Sequence, residues 1–300
     1  MVKVFYHNDP DGWCSAYWVR KHLENEGISF TESDFIEMNY DKEFPWEILT
    51  SGEQVFMVDF SLNDPMNMAL LARDYDFTWI DHHASAIEKM SIVYRDYKLK
   101  GVRYDGISGC MLTWIYLISG KHFYTDEHIQ SAPLFTQYIH LWDTWQWKNE
   151  DYSKQCDIES FITRIVASNN ASNPLSIWWN AIDDVECATR NIELLVEEGR
   201  AMIAFRDGYG KICCDSIGKI VEFEGYRCFV CNMPKCNSEW FKSVDPSTYD
   251  ILMPFYYNAQ TEQFLISLYS DKIDVSQIAV KYGGGGHFGA AGFQCKQLPF

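Results

Sequence analysis

Over the first 110 residues, short runs of consecutive apolar positions alternate with longer stretches in which apolar and polar positions recur every three to four residues. Val2 to Tyr6, Val55 to Val58 and Phe77 to Ile80 read as buried strands, and this rhythm predicts a parallel α/β sheet. Between Cys14 and Gly27, Ala16, Val19 and Leu23 recur at helical spacing, Arg20, Lys21 and Glu24 mark a wet face, and Gly27 a stop. The first unit is therefore strand, tight turn, helix. Ser108 to Gly120 and Ser131 to Trp142 predict two more helices closing the N-terminal domain, with Met111, Leu112, Ile115 and Leu117 on one and Leu134, Tyr138 and Leu141 on the other. From Ala188 to Asp207, Ile192, Leu195, Val196, Met202 and Ile203 form a three-four pattern that ends at a DGYG turn signal. That helix is the expected domain connector. Beyond it lie strand-like runs at Gly225 to Cys231, Ile251 to Tyr257 and Gln263 to Tyr269, a short helix from Val275 to Tyr282, and four glycines in a row. The predicted organisation is a larger α/β domain over 1–185, a connector over 186–208 and a smaller α/β domain over 209–300, with no internal repeat.

Length allows this division, since at about 150 residues per domain 300 residues accommodate two ordinary domains or one large one. A hydrophobic content of 47% with 16% aromatics is enough for real cores and excludes a disordered chain. The net charge of -17 repels polyphosphate backbone and argues against tight binding of long duplex nucleic acid, while short anionic substrates stay open. No apolar run approaches about 20 residues and the N-terminus lacks a secretory pattern, so the sequence reads as cytoplasmic, with no membrane partner. The ten cysteines are scattered through hydrophobic contexts and read as reduced, mostly buried thiols. Cys228 and Cys231 have CxxC spacing, with Cys236 nearby, but RCFVCN reads as a buried strand and no second pair completes a zinc site.

Three of the apolar runs lead directly into residues that bind hard divalent metals. VKVFY runs into His7, Asp9 and Asp11, VFMV into Asp59, and FTWI into Asp81, His82 and His83. One Asp after a strand is ordinarily a turn or helix cap. Three such ends together point to one crevice, because functional groups in an open parallel sheet gather at the carboxyl ends of its strands. The turn HNDPDG presents one imidazole and two carboxylates, with Pro10 fixing the backbone and Gly12 relieving it at the helix start. Oxygen and nitrogen donors without clustered thiolates suit Mn2+ or Mg2+, and a lone carboxylate such as Asp59 is suited to bridging two ions. The run Gly283 to Gly286 allows close backbone approach and an anion-binding nest, with His287 beside it as a donor.

HNDPDG, VDFS and DHH, followed far downstream by GGGGHFGAAGF, together resemble the DHH phosphoesterase superfamily with its C-terminal DHHA1 domain. The likeness spans nearly the whole chain, and DGISGCMLTWIYL and YIHLWDTWQW resemble further family segments. It implies an N-terminal parallel-sheet DHH domain with flanking helices and a smaller α/β DHHA1 domain. It also implies two metal ions, Mn2+ or less effectively Mg2+: His7, Asp9 and Asp59 would hold one, and Asp11, the bridging Asp59, His82 and Asp143 the other. Asp81 would orient a metal-holding imidazole and His83 would face the scissile phosphate, these two being the catalytic pair. Ser108, Gly284, Gly285, Gly286 and His287 would contact substrate. One departure stands out: where the family often has Ser-Leu-Arg-Ser, this chain reads Ser267-Leu268-Tyr269-Ser270, so a cation for a terminal phosphate is missing there.

The expected activity is hydrolysis of a phosphodiester or phosphomonoester in a short nucleotide, such as a short oligonucleotide, a linear or cyclic dinucleotide, or a nucleoside bisphosphate. A non-catalytic nucleotide sensor or sequestering protein is one alternative, and a family II-like pyrophosphatase another. A homodimer is left open. Trp142, Trp145 and Trp147 around Asp143, and Trp178 with Trp179, offer a base-stacking wall, although core packing accounts for most of them. Arg103 reads either as a phosphate clamp or as a solvated strand-end residue.

Overall fold

Strands that are covered on both faces need apolar residues at every position, because successive side chains point to opposite sides. This is how the computed structural model, which describes residues 2–40, 42–91, 93, 99–120, 125–168, 183 and 188–300, uses the first apolar runs. β1 (Val2–His7), β2 (Phe35–Met38), β3 (Gln54–Val58) and β4 (Asp76–Ile80) form a parallel sheet in the order β2-β1-β3-β4. Val2, Val4, Tyr6, Phe56, Val58 and Ile80 enter the core on one face. Phe5, Val55, Met57, Phe77 and Trp79 enter that on the other, where they meet Met68 and Leu71 of α2 (Pro65–Asp74).

The first face is covered by α1 (Pro10–Asn25), which starts earlier than its apolar spacing indicates. Asp9 is its N-cap, accepting from the Gly12 N–H at 2.8 Å, and Pro10 occupies the first helical turn, where no N–H is needed. Gly12 therefore lies inside the helix, and close packing is what requires it there. A Cβ on Gly12 would sit 2.1 Å from the His7 carbonyl oxygen, so only glycine lets α1 pack this tightly onto β1.

After α3 (Ala84–Lys89) comes α4 (Gly109–Leu117), buried continuously from Gly109 to Ile115 as an all-round apolar helix must be. α5 (Asp126–Ser131), α6 (Leu134–Asp143) and α7 (Tyr152–Ser168) follow. Cys110, Ile139 and Phe161 are fully buried members of the same core as α1.

The connector helix, α8, spans Ala188–Ile217 and passes through the DGYG signal without stopping. Gly210 is a packing position: a Cβ there would lie 2.3 Å from the Trp240 carbonyl oxygen. The chain divides inside this helix into two compact units, Met1–Arg200 and Ala201–Phe300.

The second unit holds β5 (Lys219–Phe223), β6 (Tyr226–Asn232), β7 (Ile251–Asn258), β8 (Gln263–Tyr269), β9 (Gly285–His287) and β10 (Ala290–Cys295). They form a mixed sheet in the order β5-β6-β7-β8-β10-β9, in which only β6 and β7 are parallel. α9 (Val275–Lys281) covers one face through Val275, Ile278 and Ala279. Phe229, Cys231 and Leu252 join Phe241 and Cys214 of α8 on the other. Cys228 and Cys231, three apart on β6, thus serve opposite cores and do not converge on one ion. Burial pushes both thiols up to about 12, and the nine described cysteines are free. No described helix is long and apolar enough to cross a membrane.

Candidate metal centre

β1, β3 and β4 run parallel, so their carboxyl ends lie side by side, and each end delivers part of one polar cluster. His7 closes β1, and two residues later the Asp9 cap presents its second oxygen to the His7 Nδ1 at 2.6 Å. Asp59 follows β3 with φ of 52°, a left-handed conformation that Asp tolerates better than most residues. Its Oδ2 lies 4.0 Å from His7 Nδ1, and its Oδ1 lies 3.2 Å from His82 Nε2. The same His82 nitrogen is 3.5 Å from Asp11 Oδ2 and 3.4 Å from Asp143 Oδ2, at the end of α6. The donor atoms of His7, Asp9 and Asp59 lie within 4.8 Å of one another, as do those of Asp11, His82 and Asp143. Asp59 joins the two sets, and it also groups with His82 and His83.

The supports of these donors come from backbone. Asp11 is held by the N–H groups of Gly109 (2.6 Å) and Cys110 (2.9 Å), the first residues of α4, where helix amides have no internal partner. Gly109 is there because Asp59 is: a Cβ would lie 2.7 Å from Asp59 Cβ and 2.8 Å from its Oδ1. Asp81 is fully buried and accepts from the N–H groups of His82 (2.8 Å) and His83 (3.2 Å) and from Trp79 Nε1 (3.3 Å). Its ring partner is the Nδ1 of His83 at 2.7 Å, so the imidazole it orients is that of His83, where the expectation was a metal-holding one.

The electrostatics of the cluster call for cations. Burial and the charges of Asp11, Asp9, Asp143 and Asp81 hold the Asp59 carboxyl well above its usual range, and burial with Asp11 and Asp9 does the same to Asp143. Both oxygens of Asp59 and Oδ2 of Asp143 are buried without a hydrogen-bond partner. Buried carboxylates are paired or coordinate metals, so these atoms, all oxygen and set among imidazole nitrogens, fit hard divalent ions. Asp9 differs: burial pushes it up, but the His7 hydrogen bond and charge and the Gly12 N–H hold it below the ordinary value. His83 is raised to about 9; burial opposes this, and the Asp81 hydrogen bond and charge outweigh it.

Several expected residues sit elsewhere. Ser108 is fully buried with its hydroxyl 3.4 Å from the Cys110 sulfur, so it faces inward, away from any substrate. Arg103 donates to the carbonyl oxygens of Trp79, Lys100 and Leu99, which spends its guanidinium on the backbone. Trp147 is buried and stacks on Trp142 at 4.9 Å, whereas Trp145 is 67% exposed. Trp178 and Trp179 lie outside the described residues. In the second unit the Tyr269 hydroxyl donates to the Cys236 carbonyl at 3.4 Å. The amides of Gly283 and Gly284 donate to Val280 (3.0 Å) and Ala279 (2.9 Å), closing α9. Gly285 to His287 pair with Ala290 to Gly292 as a short hairpin, so the glycine run is largely committed to structure; the His287 side chain lies outside the described residues.

Two supporting residues escape a motif reading. His140, 1% exposed, accepts the Ser108 N–H through Nδ1 at 3.2 Å, and burial lowers it to about 4. Its signal is its place one helical turn before Asp143. Tyr40 lies with its ring 5.6 Å from that of His7 and 5.0 Å from Phe60, and burial with the charges of Asp81, Asp59 and Asp9 raises its hydroxyl.

No protein family model matches the chain. An uncharacterized protein of Acanthamoeba polyphaga mimivirus is 26% identical to it over 314 aligned positions, 96% of this chain and 66% of that protein, so the chain spans just under two thirds of the relative's length. The structure of the pGpG-specific phosphodiesterase PggH of Vibrio cholerae superposes with a TM-score of 0.58 at 13% identity, covering 98% of this chain and 93% of that one. The DHH domain of a member of the s1p family of ribosomal proteins superposes with a TM-score of 0.57 at 14% identity, covering 97% and 82%. At such identities the likeness is one of fold. In fold, the chain is similar to DHH-domain proteins, α/β throughout, with a parallel sheet in its first unit and a mixed sheet in its second.

Proposed function

We propose that this protein hydrolyses a phosphodiester or phosphomonoester bond of a short nucleotide, using two divalent ions, Mn2+ or less effectively Mg2+. The observation that carries the reading is Asp59, whose two oxygens are buried without a hydrogen-bond partner and shared between two His/Asp clusters. His7, Asp9 and Asp59 would hold one ion, and Asp11, Asp59, His82 and Asp143 the other. When bound, such ions supply Lewis acidity toward a phosphoryl oxygen and an attacking water.

The residues of the chain do the rest. The Gly109 and Cys110 amides fix Asp11, and the left-handed turn at Asp59 aims its carboxylate between the clusters. Asp81 binds Nδ1 of His83, which leaves Nε2 to donate toward a phosphoryl oxygen as charge develops there. The acidic surface favours short substrates over long strands, and the structural likeness to a pGpG phosphodiesterase supports a dinucleotide first. Gly285, Gly286 and His287 keep, as part of this proposal, the expected role of contacting substrate.

A hydrolysis screen with Mn2+ against pGpG, cyclic dinucleotides, nucleoside bisphosphates and pyrophosphate tests this. Turnover of at least one nucleotide, abolished by a chelator that leaves the circular dichroism unchanged, is the expected result. Turnover of pyrophosphate alone would assign the pyrophosphatase activity instead, and tight binding without turnover a sequestering role.

A further inference from the structure

We infer that Trp145 is a stacking platform for a nucleobase of the substrate, with Lys148 supplying positive charge beside it; this rests on the nucleotide reading above. Trp145 follows the last turn of α6, where its N–H donates to the Trp142 carbonyl at 3.0 Å and its φ is 60°. This is the helix-ending position at which glycine is the low-strain residue, and a bulky side chain there is an outlier. Burial does not explain the tryptophan, since the residue is 67% exposed while its neighbour Trp147 is at 9%. A strained backbone holding a large aromatic out in water is explained by a ligand that uses the ring.

Three further facts identify that ligand. Trp145 is two residues from Asp143, so their α-carbons are within about 7 Å. The Lys148 ammonium lies 4.5 Å from the centre of the Trp145 ring and makes no ion pair among the described residues, in a chain with 42 acidic and 25 basic residues. With the ammonium on one face, an exposure of 67% leaves the other face open. An open indole face and an uncommitted cation beside a phosphoester centre match a planar base carrying phosphate. Trp142 and Trp147, stacked on one another at 4.9 Å, form the rigid base beneath this turn.

The test uses a 5′-phosphorylated dinucleotide of 2-aminopurine and guanosine, whose fluorescence is quenched by stacking, bound to the full chain with Ca2+ as the divalent ion. Native protein should quench it. Trp145→Ala should weaken binding about tenfold or more and remove most of the quench, Trp145→Phe should restore much of the affinity, and Lys148→Met should weaken binding a few-fold and flatten its salt dependence. Trp145→Gly relieves the left-handed strain, so it should keep or raise Tm while losing binding. Affinity and quench within twofold of native for Trp145→Ala would overturn the inference while leaving the function intact, and so would a Tm lowered in parallel with binding in Trp145→Gly. A native chain that neither binds nor hydrolyses dinucleotides would overturn the nucleotide reading itself, and this platform with it.

Discussion

The two units treat buried polar groups in opposite ways. In the first, three carboxylate oxygens at the sheet edge, two on Asp59 and one on Asp143, are buried without a hydrogen bond. In the second, no described buried side-chain oxygen or nitrogen is left so. Ser270 there donates to the Asp250 carbonyl at 2.8 Å and accepts from Lys272 and Ile273, and Asp250 takes the Arg227 backbone N–H at 2.9 Å and its guanidinium at 3.0 Å. A chain of marginal total stability leaves few buried polar groups unsatisfied, and three carboxylate oxygens clustered among imidazoles fit a site that a bound cation would complete. The contrast supports the proposal that the chemistry belongs to the first unit.

The largest effect that sharpens this contrast is expected at Asp59. Asp59→Ala should reduce turnover at least about a thousandfold, since under the proposed function this one residue would hold both ions, and metal analysis should find fewer bound ions. A variant keeping a tenth of native activity would refute the bridging role.

Next comes His83→Ala, expected to cost about a hundredfold or more, the scale of losing one donor to developing charge. The loss should be equal on a dinucleotide and on bis-p-nitrophenyl phosphate. Gly109→Ala belongs with it: the new methyl group must push Asp59 aside, so activity should fall about a hundredfold with all ligands still in the sequence. Native rates for Gly109→Ala would show that Asp59 needs no fixed position.

His287→Ala probes the second unit. If His287 contacts substrate as proposed, losing a hydrogen bond worth about 1.5 to 3 kcal/mol would lower kcat/KM on the nucleotide roughly tenfold to a hundredfold, with little change on the minimal ester. Equal losses on both substrates would move chemistry into that unit and break the comparison.

The smallest effect concerns Asp250, whose carboxyl is held low by the Arg227 hydrogen bonds. A depressed folded-state value stabilises above the ordinary carboxylate value of 3.8 and is lost as pH falls through the lowered one. Asp250→Asn should therefore lower Tm slightly at pH 7, and the gap to native should close in acid. A gap that widens on acidification would contradict the pairing.

What was legible in the sequence follows from local physics. Strands buried on both faces cannot hide their apolar runs, and ligands placed at their ends fall next to them in sequence, so β1, β3 and β4 and the residues after them were readable. Edge elements carry weaker patterns: β5 is mostly exposed, and β9 is three residues of a glycine-rich hairpin. α8 outran its stop signal because Gly210 serves packing against Trp240, a contact 30 residues away in sequence. Ser108 was misplaced for a similar reason. Its segment does reach the site, but through the amides of Gly109 and Cys110, and backbone donors leave no mark on side-chain chemistry. The pairing of Asp81 with His83 in preference to the His82 ring is decided by ring orientation, which spacing does not encode.

Asp9 divides its two oxygens between two tasks. Oδ1 belongs to the helix, closing the first turn of α1 on Gly12, and Oδ2 belongs to the cluster, facing His7. Binding or loss of an ion at Oδ2 would therefore leave the cap in place, and α1 would stay wound either way. Metal loading under the proposed function would then need no refolding of α1. Hydrogen exchange at the first amides of α1 should accordingly be nearly the same before and after chelation.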